Sequence, residues 1–273
     1  MIGTLITQFL HLAAWLGLLA LIFVPLERFF ALKQARIWRP QMAIDLVYYM
    51  MSSLPALVIA VIPLGALALA VHSIVPEGYY ASIGALPFAV RLVIGLVVGD
   101  IAFYWSHRAS HAVPLLWRFH ALHHSAEHMD FLVNTRGHPV DMVFGRVCAL
   151  IPLYVLGLAE PSSMDGTVLA QLVTVISTFW GFFIHSNLRW RLGPLEWLVA
   201  SPAFHHWHHT RSEHIDRNFA AMIPAIDRIF GTLHMPRDWP SEYGVRGAHP
   251  TTLGAQLLDP LLPPAANPVS RSS

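Results

Sequence analysis

The sequence predicts an all-α integral membrane protein with about four to five membrane-embedded helices and a helical, histidine-rich cap on the cytoplasmic side. Three observations predict it. First, the chain is 55% hydrophobic and only 12% charged, against about 25% charged in a soluble globular protein, and its mean hydropathy is +0.52. Second, its apolar runs are of membrane-spanning length and are separated by short polar loops. Third, its 17 histidines, where about six are ordinary, concentrate in a few short motifs.

The first run, residues 5–26, is long enough to cross about 30 Å of hydrocarbon as a helix. No basic segment precedes it and no small-residue cleavage site follows, so it reads as a retained span. His11 lies near its end, where a polar side chain reaches the interface. Arg28, Lys33, Arg36 and Arg39 then cluster in a short loop, which the positive-inside rule puts in the cytoplasm. Residues 46–71 form a second apolar run, kinked at Pro55 and Pro63. The loop 72–87 carries no Lys or Arg, as expected for the outer side. Residues 88–106 return inward and end in the first histidine motif.

Residues 107–141 are polar and histidine-rich. Residues 143–158 and 167–185 read as a hairpin that goes out and comes back, each near the lower limit for a span. The remainder from about 186 is cytoplasmic, and the tail from 249, rich in Pro, Ala and Ser, is expected to be disordered over its last ten residues or so. The chain divides into an N-terminal transmembrane region (1–87), a catalytic region (88–240) and a tail (241–273). This alternation places every histidine motif on one side of the membrane.

The motifs are His107-x-x-x-His111 and two copies of His-x-x-His-His: His120, His123, His124 and His205, His208, His209. On a helix, positions i, i+3 and i+4 share a face, but adjacent histidines diverge by about 100°. One ion cannot take all three rings of a triplet. A pair of ions shared among several helices suits the pattern. Asp100 lies seven residues before His107, on the same face, and Asp100, Asp141, Asp216 and Asp227 are candidates to orient the rings and offset charge.

The single cysteine, Cys148, excludes a disulfide framework and a thiolate metal site, and reads as a buried structural thiol. A net charge of +1 without a basic tract gives no basis for nucleic-acid binding. No His-Glu-x-x-His pattern is present. Imidazole ligands suit iron, copper, nickel and zinc alike. His72, His214, His234 and His249 read as structural, and His128 stays open. A metal carrier or transporter and a zinc-dependent membrane hydrolase are the rival readings.

The ordered motifs resemble the fatty acid hydroxylase superfamily, which includes sterol desaturases, sterol methyl oxidases, lipid hydroxylases and alkylglycerol monooxygenase. They are DIAFYWSHRASH (100–111), HALHH (120–124), RGHP (136–139), FIHSN (183–187), SPAFHHWHH (201–209), DRNFA (216–220) and DRIFGT (227–232). His-x-x-x-His in the first box looks most like sterol desaturases and methyl oxidases. Asn218-Phe219-Ala220 stands where the superfamily more usually has Asn-Phe-Gly.

The resemblance implies a membrane-embedded, non-haem enzyme with two iron ions and dioxygen as co-substrate, hydroxylating or desaturating an unactivated C–H bond of a membrane lipid (sterol-like, carotenoid, fatty acyl or ether lipid). It implies ten ligands: His107, His111, His120, His123, His124, His138, His185, His205, His208 and His209. Asp100, Asp141, Asn187, Asp216 and Asp227 would support them, with His206 a bystander. The sequence has no nucleotide fingerprint and no cysteine-rich cluster motif. Electrons must then come from a separate donor, a reductase with a ferredoxin or a b-type cytochrome, for which Arg108, Arg118, Arg189 and Arg191 are a candidate docking face. A bacterial inner membrane is the expected location.

Overall fold

The computed structural model describes residues 2–53, 64–67, 70–71, 73–160, 163–247 and 249–262. The described residues form helices joined by ordered loops, without a strand; Ala31–Leu188 and Thr210–Tyr243 are isolated bridges. Among the described residues three helices are long and apolar enough to cross a membrane: α1 (Ile2–Phe29), α4 (Phe88–Ala112) and α7 (Met164–His185). Leu10 and Leu21 of α1, Val93 of α4 and Val175 of α7 are exposed. A belt of this kind on long helices fits lipid and not water.

The other apolar runs are shorter. Helix α2 (Met42–Ser53) begins the second predicted run, of which residues 54–63, with Pro55 and Pro63, and 68–69 lie outside the described residues. Helix α3 (Glu77–Gly84) follows. Helix α6 (Pro139–Val155) has 17 residues, about 25 Å at 1.5 Å per residue. The predicted hairpin is therefore one short helix and one full-length helix. Residues 263–273, and with them the expected disordered tail, also fall outside the description, as does His72.

Close approach of α4 to α6 and α7 depends on two glycines one turn apart. A Cβ on Gly95 would lie 3.3 Å from Leu169 and Val173, and one on Gly99 would lie 3.4 Å from the Ala149 carbonyl. This is the small-residue packing used between membrane helices. Leu150, Leu153, Leu169 and Val173 fill the interface. A second cluster, with Leu19, Phe23, Tyr49, Phe131 and Phe182, joins α1, α2 and α7 to a 3₁₀ turn at Phe131–Thr135.

The ends of the three long helices converge. Pro114 at the first position of α5 (Pro114–His124) starts a new helix immediately after α4, because the ring presets φ and needs no donor there. Glu27, near the end of α1, accepts the N–H groups of Phe131 (2.8 Å) and Asn187 (3.0 Å). The cationic loop after α1 is more than a topogenic signal. Arg39 is buried and pairs with Asp45 (2.7 Å) and with Asp130, while Arg136 pairs with Asp45 from the other side at 2.8 Å. Lone buried charges would be costly, and pairing offsets that cost.

Beyond α7, short helices fold back over the helix ends: α8 (Pro202–His208), α9 (Pro224–Ile229) and α10 (Leu253–Leu258). Ser201 caps α8, its Oγ accepting from Phe204 N–H, with Pro202 at the first helical position. That cap aims the second His-x-x-His-His back at the first.

Candidate metal centre

Nine histidines form two adjacent buried groups. His107, His111, His120, His124 and His208 make one; His123, His185, His205 and His209 make the other. Within each group the ligand nitrogens all lie within 4.8 Å of one another. Adjacent residues separate as helix geometry requires: His123 and His124 go to different groups, and so do His208 and His209. The groups touch, with the His124 and His209 rings stacked at a centroid separation of 4.5 Å. His107 and His111 sit on the last turns of α4, so the first box belongs to the spanning helix itself and not to a loop after it.

The outward nitrogens fix the inward ones. The Nδ1–H groups of four rings donate to backbone carbonyls: His107 to Phe219 (2.8 Å), His123 to Arg136 (2.9 Å), His185 to Gly181 (2.7 Å) and His208 to Arg217 (2.7 Å). Two more rings donate to carboxylates: His111 to Asp216 (2.8 Å) and His120 to Asp141 (2.9 Å). A carbonyl accepts and cannot donate, so Nδ1 carries the proton and Nε2 presents a bare lone pair.

Those lone pairs face one another. Nε2–Nε2 separations are 3.1 Å for His107–His120, 3.2 Å for His120–His124, 3.2 Å for His123–His185 and 2.9 Å for His185–His205. Neutral lone pairs at this range repel. A cation between them reverses the sign, and nitrogens at about 2.0–2.1 Å from one ion in tetrahedral array sit about 3.3 Å apart. Nε2 of His208 is buried without a hydrogen-bond partner, an orphan that calls for an explanation in a folded protein and that a metal satisfies. The donor set fits a pair of metal ions.

Electrostatics prepare the same state. Burial, reinforced by neighbouring imidazoles, pushes His124, His205, His208 and His209 well below the usual histidine range and His123 down to about 4. The rings are neutral at pH 7, the form that ligates.

His138 stands outside both groups. It caps α6, Nδ1 accepting from Val140 N–H at 3.2 Å, and its Nε2 faces the Leu257 carbonyl at 3.2 Å. The expected supporting residues also divide. Asp141 and Asp216 touch rings. Asp100 instead accepts the N–H groups of Ala221, Met222 and Ile223, and Asp227 those of Phe219 and Ala220 plus the Thr232 hydroxyl. Asn187 bonds the Lys33 backbone. Asp100 and Asp227 therefore act through backbone: they clamp the loop 216–223, whose carbonyls and Asp216 orient His107, His111 and His208.

Asn218 belongs to the same clamp: at φ +59°, its side chain bonds the Phe204 carbonyl and both the N–H and the carbonyl of His234. The left-handed residues of the 216–220 motif are Asp216 and Asn218, and Ala220 is not among the residues with positive φ, so a glycine is not needed there. The carbonyls of Arg136, Gly181, Arg217 and Phe219 escape sequence reasoning, because every residue carries one.

His206 bonds the Tyr243 hydroxyl and the Ser186 carbonyl and faces neither group. His214 and His234 stack on each other at 3.9 Å, His128 and His11 are exposed, and Cys148 is half-buried rather than buried. Arg108 reaches the Tyr104 hydroxyl, Arg118 the Leu262 carbonyl and Arg191 the Pro236 carbonyl.

A cleft of about 220 Å³ opens from the histidines and runs between α4, α6 and α7. His120, His123 and His185 line one end, and Gly99, Leu150 and Val173 the other. From His185 to Val173 the helix rises about 18 Å, so the cleft reaches into the apolar bundle.

Fold and site together define a helical protein with three helices long and apolar enough to span a membrane and, at their ends, a paired all-imidazole cluster that could hold metal. The chain belongs to the fatty acid hydroxylase family, which it matches over residues 92–232. It is 33% identical over 176 residues to ornithine lipid hydroxylase OlsE of Rhizobium tropici, covering 64% of this chain and 51% of that one. It is 34% identical over 134 residues to alkylglycerol monooxygenase of Danio rerio, covering 49% and 28%. It is 30% identical over 172 residues to very-long-chain aldehyde decarbonylase GL1-7 of Oryza sativa subsp. japonica, covering 59% and 26%. The match spans about half the length of the first relative and about a quarter of the other two. No solved structure matches.

Proposed function

We propose that the chain is a membrane-bound, non-haem di-iron oxygenase acting on a lipid. The observation that carries this reading is the pair of histidine nests, nine buried rings in two touching groups, at the mouth of a cleft that extends into the bundle. When bound, two irons would supply dioxygen-dependent removal of hydrogen from an unactivated C–H bond, ending in hydroxylation or desaturation. His107, His111, His120, His124 and His208 would hold one iron; His123, His185, His205 and His209 would hold the other.

The chain's own contribution is placement and exclusion. In six of the rings Nδ1 keeps its proton, hydrogen-bonded to the carbonyl or carboxylate behind it, so Nε2 is left as the ligating nitrogen. Gly99 and Gly145 keep the cleft open beside α6, while the apolar wall excludes water and receives an aliphatic chain. Residues 88–240 would carry this machinery, with 1–87 as a membrane platform and 241–273 as a covering tail. A separate electron donor would dock on the histidine side; the cationic loop after α1 supports a cytoplasmic face for that side, and a bacterial inner membrane would be its location.

The test is purification with metal analysis, followed by assay with and without dioxygen. Two irons per chain and dioxygen-dependent product are expected. Turnover without dioxygen would instead mark a zinc hydrolase, and exchangeable metal without turnover a carrier. Lipid extracts of cells with and without the gene distinguish hydroxylation, a gain of one oxygen, from desaturation, a loss of two hydrogens.

A further inference from the structure

Part of the histidine-bearing cap reaches down to the depth of the spans. About 20 residues of helix cross about 30 Å of hydrocarbon, which carries α4 from Phe88 to near His107. Asp100 lies seven residues before His107, about 10 Å deeper along the axis. It accepts the N–H groups of Ala221 (2.9 Å), Met222 (3.1 Å) and Ile223 (2.7 Å). Helix α7 gives the same depth independently. Ser177 lies eight residues before His185, about 12 Å deeper, and its hydroxyl donates to the Met222 sulfur at 3.6 Å. Trp180 on that helix donates its indole N–H to the Ala200 carbonyl (3.1 Å), and Ala200 N–H donates to the Met222 carbonyl (2.8 Å). Non-helical backbone is tolerated at such depth only where protein satisfies its polar groups, and Asp100 does this for three N–H groups.

The outer faces of the neighbouring segments are apolar. Leu195, Trp197 and Leu198 are exposed at and after the 3₁₀ turn Gly193–Trp197, and Ile229 and Phe230 at the end of α9, Ile229 by 76%. Arg228 lies over the Trp197 ring at 3.9 Å, which joins the two groups into one surface. That surface continues the lipid-facing side of α4. Val90, Val93, Val97, Ile101 and Trp105 are exposed at spacings of three or four residues along the helix, and the Trp105 ring meets Phe230 at 4.8 Å. Tryptophan at the end of an apolar stripe, with an arginine stem laid along a ring, suits the boundary between lipid and water.

We propose that the Gly193–Trp197 turn, Leu198 and the end of α9 form an interfacial seat, with their apolar side chains among phospholipid acyl chains just beneath the headgroups. Asp227, on the buried face of α9, accepts Phe219 and Ala220 N–H, so the seat also supports the clamp behind His107, His111 and His208. The inference needs the long helices to lie in a bilayer; it does not need the oxygenase reading.

Spin labels on the full chain in dioleoyl phosphatidylcholine vesicles test the seat. Labels are placed at Ile229→Cys and Leu198→Cys in a Cys148→Ser background. Val97→Cys, on the exposed stripe of α4, is the lipid reference, and Glu213→Cys, on an exposed polar loop, is the water reference. Line broadening is read with dioxygen, which concentrates in lipid, and with a nickel chelate, which stays in water. Labels at 229 and 198 are expected to lose the nickel response seen at 213 and to keep the oxygen response seen at 97.

A nickel response equal to that at 213 overturns the proposal. Closure to both reagents overturns it as well, because a second copy of the chain would then cover the face. The unsubstituted chain supplies a further measurement. In vesicles containing a phosphatidylcholine with a diazirine near the head of one acyl chain, light is expected to leave adducts on 193–198 and 228–230 as well as on α4. Adducts on α4 without any on those two segments overturn the proposal, whether or not the labelled variants fold.

Discussion

The two histidine nests use the same ring but are backed differently. In the five-histidine nest, two rings lean on carboxylates, His111 on Asp216 and His120 on Asp141. In the four-histidine nest, His123 and His185 lean only on carbonyls, and Nδ1 of His205 and of His209 is buried without a partner. A carboxylate behind an imidazole raises its basicity and neutralises part of a bound cation's charge; a carbonyl only fixes the tautomer. With metal in both nests, the five-histidine nest is therefore expected to hold it more tightly. The four-histidine nest has less anionic support and is the one expected to lose metal first.

The largest effects should come from removing one ring of either nest, and they should be separable. His123→Ala is expected to empty the four-histidine nest and abolish turnover while the protein stays inserted in the membrane. His124→Ala, one residue along, is expected to deplete the other nest. Metal analysis of both variants should show about half the native content in each, and loss of all metal from both would merge the two nests into one site. Unchanged product formation by His123→Ala would sink the assignment of the centre. Chelator titration of the native protein should release metal in two steps, the four-histidine nest first.

Next in size are the carboxylates. Asp141→Asn keeps shape and hydrogen-bonding reach but removes the charge behind His120. A 10–100-fold loss in metal affinity is the usual result of such a change, and it should appear in the five-histidine nest alone. Asp227→Asn acts at one remove. It weakens the bonds to Phe219 N–H, Ala220 N–H and the Thr232 hydroxyl, at about 1–3 kcal/mol for a buried group left poorly matched. A lowered melting temperature with loosened metal in the five-histidine nest is expected, since the 216–223 loop orients only that nest. Equal loosening of both nests would show that the loop does more than hold His107, His111 and His208.

Much of this arrangement was legible in the chain, because helical periodicity is a strong physical constraint. The 100° between adjacent residues favoured a shared pair of ions over one ion for each triplet, and the structure puts His123 and His124 in different groups. The i, i+4 pair His107 and His111 likewise had to share a face. The limits were equally physical. A backbone carbonyl leaves no mark in a sequence, so the acceptors behind His107, His123, His185 and His208 were invisible. Asp100, seven residues before His107, looked like a partner for a ring; a loop more than a hundred residues away supplies three N–H groups that claim it first. Hydropathy marked α1 and α4 clearly, yet it put both arms of the hairpin near the lower limit and could not tell the 17-residue α6 from the 22-residue α7. Arg39 read only as one of four cations in a topogenic loop, because its pairing with Asp45 and Asp130 depends on how the chain folds.

The smallest predicted effect is also the sharpest test of where resemblance and geometry part. The His-Pro motif implies His138 as a ligand, whereas the structure gives both of its ring nitrogens other work. Nδ1 accepts from Val140 N–H as the cap of α6, and Nε2 faces the Leu257 carbonyl. His138→Ala should cost about 1 kcal/mol, the usual penalty for losing a cap, and should leave the metal content of both nests unchanged. His138→Asn, which can cap a helix but does not offer an imidazole, should recover that stability. If His138→Ala lost metal and His138→Asn failed to restore it, the ring would have to swing away from Leu257 and towards Asp141, which already holds His120 of the five-histidine nest. The carboxylate-backed nest would then gain a sixth histidine, and the contrast between the two nests would widen.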